Sequence, residues 1–185
     1  MANNLTWEEK WSETETLLGR VVFKWGAVMG LVYGLPKDME FENADAIRLG
    51  LASSSGDGSR IQHMRDLLSH TPALFPSNPE RTEKALVALK TLSTLIKKRD
   101  ALIHGVPVWS FKRDLGTKEV LRRGAYLVQQ RKWNEGERFL KVPEAVQEHL
   151  SALDAAHLEL QKVAKPMLFE DWDALFAGLP DEART

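Results

Sequence analysis

Residues 78–105, NPERTEKALVALKTLSTLIKKRDALIHG, decide the fold class. Asn78 stands at an N-cap position, Pro79 at the first helical position, and Glu80 in the first turn, where the helix dipole favours an anion. Leu86, Leu89, Leu92 or Ser93, Ile96 and Ile103 then recur with helical period. The spacing predicts one helix from Pro79 to about His104, nearly ~40 Å long at ~1.5 Å per residue. Gly105 is placed to end it as a left-handed C-cap.

Working towards the N-terminus, residues 6–35 read as a second long helix. Thr6 is its cap, Glu8 and Glu9 fall in its first turn, and Trp11, Leu18, Val21, Val22, Trp25, Val28, Met29 and Val32 make a wide apolar stripe. Gly19, Gly26 and Gly30 leave room for another helix, and Gly34 with Pro36 should stop the run. Shorter helices are expected over about 43–53 and about 60–70. Ser59 caps the latter, with Ile61, Met64, Leu67 and Leu68 inward, and the loop SSSGDGS (53–59) lies between the two. Towards the C-terminus, Pro107–Phe111, Ala125–Lys132 and Phe139–Val142 are rich in β-branched and aromatic residues, with Asn-Glu-Gly at 134–136 as a tight turn. Pro143 opens a helix over about 143–164, and a short last helix is expected over about 168–178, carrying Trp172, Leu175 and Phe176. The expectation is an all-α fold: a helical bundle of four main helices plus short ones, with a small β-hairpin or meander insert around 107–142. One domain would span 1–185, with 1–5 and 180–185 frayed.

Composition narrows the function classes. The chain has 185 residues, 43% hydrophobic and 28% charged, enough to bury a core. Cysteine is absent, which excludes disulfides, thiolate zinc sites, Fe–S clusters and a catalytic thiol. The start MANNLTWEEK has neither a basic nor an apolar leader region, so no signal peptide is expected. The most apolar run, VVFKWGAVMGLVYGL (21–35), is interrupted by Lys24 and falls short of the ~20 residues a membrane span needs. A cytoplasmic protein with no membrane partner is the expectation.

The formal charge of −1 conceals an asymmetry. Residues 97–141 carry twelve Lys and Arg against five acids, a net +7, and the rest of the chain sums to −8. Such a segment suits a phosphate-bearing partner. On charge alone the simpler reading is a hairpin whose cations face solvent and block edge pairing. No glycine-rich phosphate loop, HExxH or GxSxG motif occurs, and the five histidines (63, 70, 104, 149, 157) do not stand at a metal spacing with acids. His149 and His157 read as surface or half-buried structural residues, and no cofactor is expected.

One constellation is chemically pointed. Arg99, Asp100 and His104 close the long helix as the basic segment begins. Asp100 and His104 are four apart, so on a helix they share a face, and the carboxylate can orient the imidazole. Arg99 and His104 lie about 140° apart at ~100° per residue, so both reach one substrate only in a wide cleft or with a second chain. An arginine can bind phosphate bidentately and stabilise a phosphorane, and a histidine can move a proton near neutral pH. RNA supplies its own nucleophile, the 2′-OH, so this pair needs no metal. The other reading is a helix end, with His104 as a cation on the dipole and Asp100 as its partner.

Arg99-Asp100-Ala101-Leu102-Ile103-His104 resembles the R-x(4–6)-H motif of the HEPN superfamily. In that motif a polar residue such as Asn, Asp or His follows the arginine. Gly105, the nearby Trp109 and the early tryptophan-bearing helix around Gly19–Val32 also resemble bacterial members. The chain departs from many of them in having Met29 and apolar neighbours where an acid follows the first-helix aromatic. The motif covers six residues, and the looser pattern covers about 10–165.

The resemblance implies a metal-independent endoribonuclease acting as a symmetric homodimer, with both motifs lining one cleft. The products would be a 2′,3′-cyclic phosphate and a 5′-OH. His104 would be general base or acid, Arg99 the phosphate binder and Asp100 the orienter. Lys97, Lys98, Lys112, Arg113, Arg122 and Arg123 would contact the RNA backbone. Trp109 would either stack on a base or pack in the core. Relatives act as toxins or in phage defence, some with an antitoxin protein as partner. The alternatives are a catalytically inactive HEPN-like dimerisation or RNA-binding module and a nucleotide-binding sensor.

Overall fold

In a computed structural model, the chain is described over residues 6–70, 79–113, 116, 120–130 and 137–165, with backbone alone at 7, 109–113, 120–123, 129–130 and 137–139. The elements run α1 (Trp7–Asp38), α2 (Ala44–Ala52), α3 (Asp57–His70), α4 (Pro79–Ile103), β1 (Val106–Arg113), β2 (Val120–Gln130), β3 (Glu137–Val142) and α5 (Glu144–Gln161). The described residues are therefore mostly helical, with one small antiparallel sheet in the order β1-β2-β3. The Asn78 cap, the turn at 134–136 and the helix expected over 168–178 lie outside the described residues.

Helix starts follow local chemistry. Thr6 and Glu9 form a reciprocal capping box: the Thr6 N–H donates to Glu9 Oε2 at 2.6 Å, and the Glu9 N–H donates to Thr6 Oγ1 at 3.3 Å. Helix α3 begins at Asp57, two residues before the expected Ser59 cap. Asp57 is already engaged there: Trp25 Nε1 donates to Oδ2 at 2.7 Å and Arg60 Nη1 to Oδ1 at 2.8 Å. Arg60 also donates to the carbonyls of Leu51 and Ser54, which draws the 53–56 turn onto the first turn of α3.

Helix ends depart from expectation. Helix α1 does not stop at Gly34 and Pro36 but runs through both to Asp38. Its end is a Schellman motif: Glu40 takes φ 57°, and the Phe41 and Glu40 N–H groups donate to the carbonyls of Pro36 and Lys37, both at 3.0 Å. Gly105 is not a left-handed cap. A Cβ there would stand 2.7 Å from the Ala101 carbonyl oxygen and 2.9 Å from Leu127 Cβ, so its role is close approach. At Gly19 and Gly26 an added Cβ would meet nothing within 4 Å among the described residues, so no described helix packs there.

The chain divides into two compact units. One comprises residues 1–23 and 97–152, the other 24–96 and 153–185. In the first, Leu17 and Val21 of α1, Ala101 and Leu102 of α4, Ala125, Leu127, Leu140 and Val142 of the sheet, and Val146 of α5 form the core. In the second, Val28, Leu31, Val32 and Leu35 of α1, Leu51, Ile61 and Met64 of α2 and α3, Leu89 and Leu92 of α4, and Leu153 and Leu160 of α5 are buried. The buried face of α4 runs through Ala85, Ala88, Leu89, Leu92 and Leu95, rotated slightly from the expected Leu86 and Ile96. By length and composition α1 would reach across a bilayer, yet half of its most apolar window is buried within the protein.

The meander is fixed by its register. Val106 opposes Val128, Val108 opposes Tyr126 and Trp109 opposes Ala125; across the second pair, Tyr126 opposes Lys141 and Leu127 opposes Leu140. A bulge falls between Lys112 and Arg113. The middle strand is longer than expected because it begins at Val120, so Arg122 and Arg123 are strand residues rather than loop residues.

Candidate functional site

All three residues of the motif fall in the first unit, at the junction of α4 and β1. Helix α4 ends at Ile103, and the His104 N–H makes the last helical bond, to the Asp100 carbonyl at 3.0 Å. His104 is exposed, one turn beyond Asp100 and just outside the helix. Gly105 then presses onto Leu127 and the chain enters β1 at Val106. Two residues thus separate the helix from the sheet, and His104 is one of them.

The side-chain pairing differs from the expected triad. Asp100 does not orient His104; its Oδ1 accepts from Arg99 Nη1 at 2.9 Å. Arg99 is the neighbouring residue, and its long side chain reaches back to the carboxylate. Arg99 is partly buried, with a quarter of its side chain exposed, against 44% for Asp100. Among the described residues no side chain binds the His104 ring. Lys97 is exposed, and Lys98 is tied to α5 through Glu148 Oε2 at 2.8 Å. That hydrogen bond, with the lysine charge, holds the Glu148 carboxyl below its usual range.

Beside this pair stands a residue that sequence reasoning placed wrongly. His149, next to Glu148 on α5, is fully buried, neither a surface nor a half-buried histidine. Among the described residues neither of its ring nitrogens has a hydrogen-bond partner. Burial, then the charges of Lys98 and Arg99, lower its pKa from 6.5 to about 4. The imidazole is therefore neutral at physiological pH. The signal was present in the spacing: Val146, His149, Leu153, Ala156 and Leu160 are all buried, and they recur at alternating steps of three and four.

For the remaining expected contacts the backbone alone is described. Lys112 opposes Arg122, Phe111 opposes Arg123, and Arg113 opposes Val120 across the bulge. The register thus brings four of the expected backbone-binding cations, Lys112, Arg113, Arg122 and Arg123, to one end of the hairpin. Trp109 sits opposite Ala125, a buried position of β2. No group of three or more His, Asp or Glu side chains that could hold a metal ion forms among the described residues. Comparison of the chain with family models, curated proteins and solved structures finds no match.

Proposed function

We propose that this protein is a metal-independent endoribonuclease of HEPN type, with Arg99 and His104 as its catalytic residues. The observation that carries the reading is the α4–β1 junction. It presents an exposed imidazole, unbound by other described side chains, five residues after a partly buried guanidinium, where a segment of net +7 begins. Arg99 would bind the scissile phosphate and offset the charge of the phosphorane. His104 would take the proton from the 2′-OH or give one to the 5′ oxygen. O2′ attacks phosphorus, the P–O5′ bond breaks, and a 2′,3′-cyclic phosphate and a 5′-OH remain.

The resemblance adds the finer parts of the reading. These are a four-helix HEPN bundle, a symmetric dimer whose two motifs share a cleft, and a cytoplasmic role as a toxin or phage-defence effector, with an antitoxin protein as its partner. The dimer would also answer the angular separation of Arg99 and His104.

One observation favours a second reading. Asp100 holds Arg99, which suits a catalytically inactive module that binds RNA or a nucleotide and uses these residues to finish a helix. Incubation of the wild-type protein and His104→Ala with RNA in excess EDTA separates the two. The catalytic reading expects cyclic-phosphate ends from the wild type and a loss of roughly 10²–10⁴-fold in the variant. Undiminished cleavage by His104→Ala removes His104 from the mechanism. RNA bound but never cut by the wild type selects the module.

A further inference from the structure

The sheet has a second face that the motif does not use. Ala125 and Leu127 of β2 and Leu140 and Val142 of β3 are buried in the core of their unit. Strand period turns the residues between them, Tyr126 and Lys141, to the opposite face. The register sets these two directly across from one another. Tyr126 is partly exposed, and Lys141 is exposed with its ammonium on Glu144 Oε1 at 2.7 Å.

The tyrosine ring does not stand away from the sheet. Its outer end lies over Gly124: a Cβ at that position would meet Tyr126 Cε2 at 2.9 Å and the hydroxyl at 3.1 Å. A strand interior gains nothing from glycine except this room, which lets the ring lie along the strand. Val108, opposite Tyr126, is partly buried, and Val106, two residues earlier on the same face, is 63% exposed. The meander as a whole, residues 106–142, carries nine Lys and Arg against four acids, a net +5.

An aromatic ring backed by a strand, with a lysine directly across from it in a segment of net +5, suits an unpaired base. Stacking accepts any base, and the cations take the phosphates on either side. An apolar protein surface is the competing occupant, and the charge of the meander favours the polyanion. We propose that Tyr126 is the stacking platform of a single-stranded RNA-binding face on the sheet, with Lys141 against a neighbouring phosphate. The inference rests on the ribonuclease reading for its substrate class. Val108 is four residues past His104, at most ~14 Å of backbone, and the cross-strand step adds about 5 Å. Tyr126 therefore lies within about 20 Å of His104 and would hold a base a few nucleotides from the cut.

The test uses the His104→Ala chain, so that RNA stays whole, and a short single-stranded RNA carrying 2-aminopurine, whose fluorescence falls on stacking. Quenching on binding is expected in this parent and with Tyr126→Phe added. With Tyr126→Ala added, the quenching should vanish and affinity fall roughly 5- to 150-fold, the range of ~1–3 kcal/mol per stacked base. Tyr126→Leu, which keeps apolar bulk without the aromatic plane, repeats the measurement should the alanine variant lose its melting transition. Unchanged quenching and affinity in the folded variant overturn the proposal, as does failure of the parent to bind RNA. Wild-type turnover in EDTA is scored separately. Tyr126-dependent stacking without cleavage leaves this face standing and removes the catalytic reading, whereas cleavage indifferent to Tyr126 does the reverse.

Discussion

His149 shows what a single buried side chain costs. Its imidazole titrates at about 4 in the folded chain against an ordinary 6.5, so the unfolded chain takes up a proton first as pH falls. Stability is then lost progressively from pH 6.5 downward. It levels near pH 4, where the folded state protonates too, and the loss reaches about 3 kcal/mol at ~1.4 kcal/mol per pH unit. His149→Leu should remove this acid dependence and raise stability at pH 7 by roughly 1–3 kcal/mol, because two unsatisfied polar atoms leave the core. Thermal melts at pH 7 and pH 5 check both, and an unchanged difference between the two pH values contradicts the assignment. Asp100 gives a second test at this scale. It competes with any phosphate for Arg99, so Asp100→Asn in the His104→Ala background should tighten RNA binding severalfold in a titration. Weaker binding would mean that the carboxylate positions Arg99 for RNA instead of competing with it. The motif itself was legible, since Arg99, Asp100 and His104 are adjacent in sequence. Their pairing was not, because spacing does not say which of two neighbouring cationic side chains the carboxylate takes.

At the scale of elements, starts were easier to read than stops. Thr6 and Glu9 carry their capping chemistry in their own side chains, so the start of α1 follows from residue type. The stop at Glu40 depends on a backbone angle that residue type disfavours, and neither Gly34 nor Pro36 breaks a helix that the core of its unit holds in place. Glu40→Gly should therefore stabilise the chain by about 1 kcal/mol, because it relieves a positive φ at an exposed position. Thr6→Ala should cost about 1 kcal/mol by releasing the first turn of α1. Urea unfolding of the two variants checks the opposite signs. The β segment shows the same limit: its strands were placed by composition, while the start of β2 at Val120 is set by pairing across a turn and not by any residue within it.

For the whole molecule, the net charge of −1 says little about partners, because the cations are concentrated in 97–141. If four of them engage RNA phosphates, log affinity should fall against log salt with a slope of about −3. Titrations at several salt concentrations measure it, and a flat dependence contradicts a backbone-binding role for this segment. The helical class follows from periodicity and the inserted meander from composition. The division into two units does not, because α1, α4 and α5 each run through both and leave no linker to read. The two-residue link between α4 and β1 has a consequence for anyone wishing to edit this chain. Gly105 is seated on Leu127, and β1 starts at Val106. One amino acid spliced in after His104 would either unseat that glycine or slide β1 by one place along β2. A slide of one place exchanges every inward residue of β1 for an outward one. Tags, grafts and circular permutation points therefore belong away from this link, where a single added codon would re-pair β1 on β2.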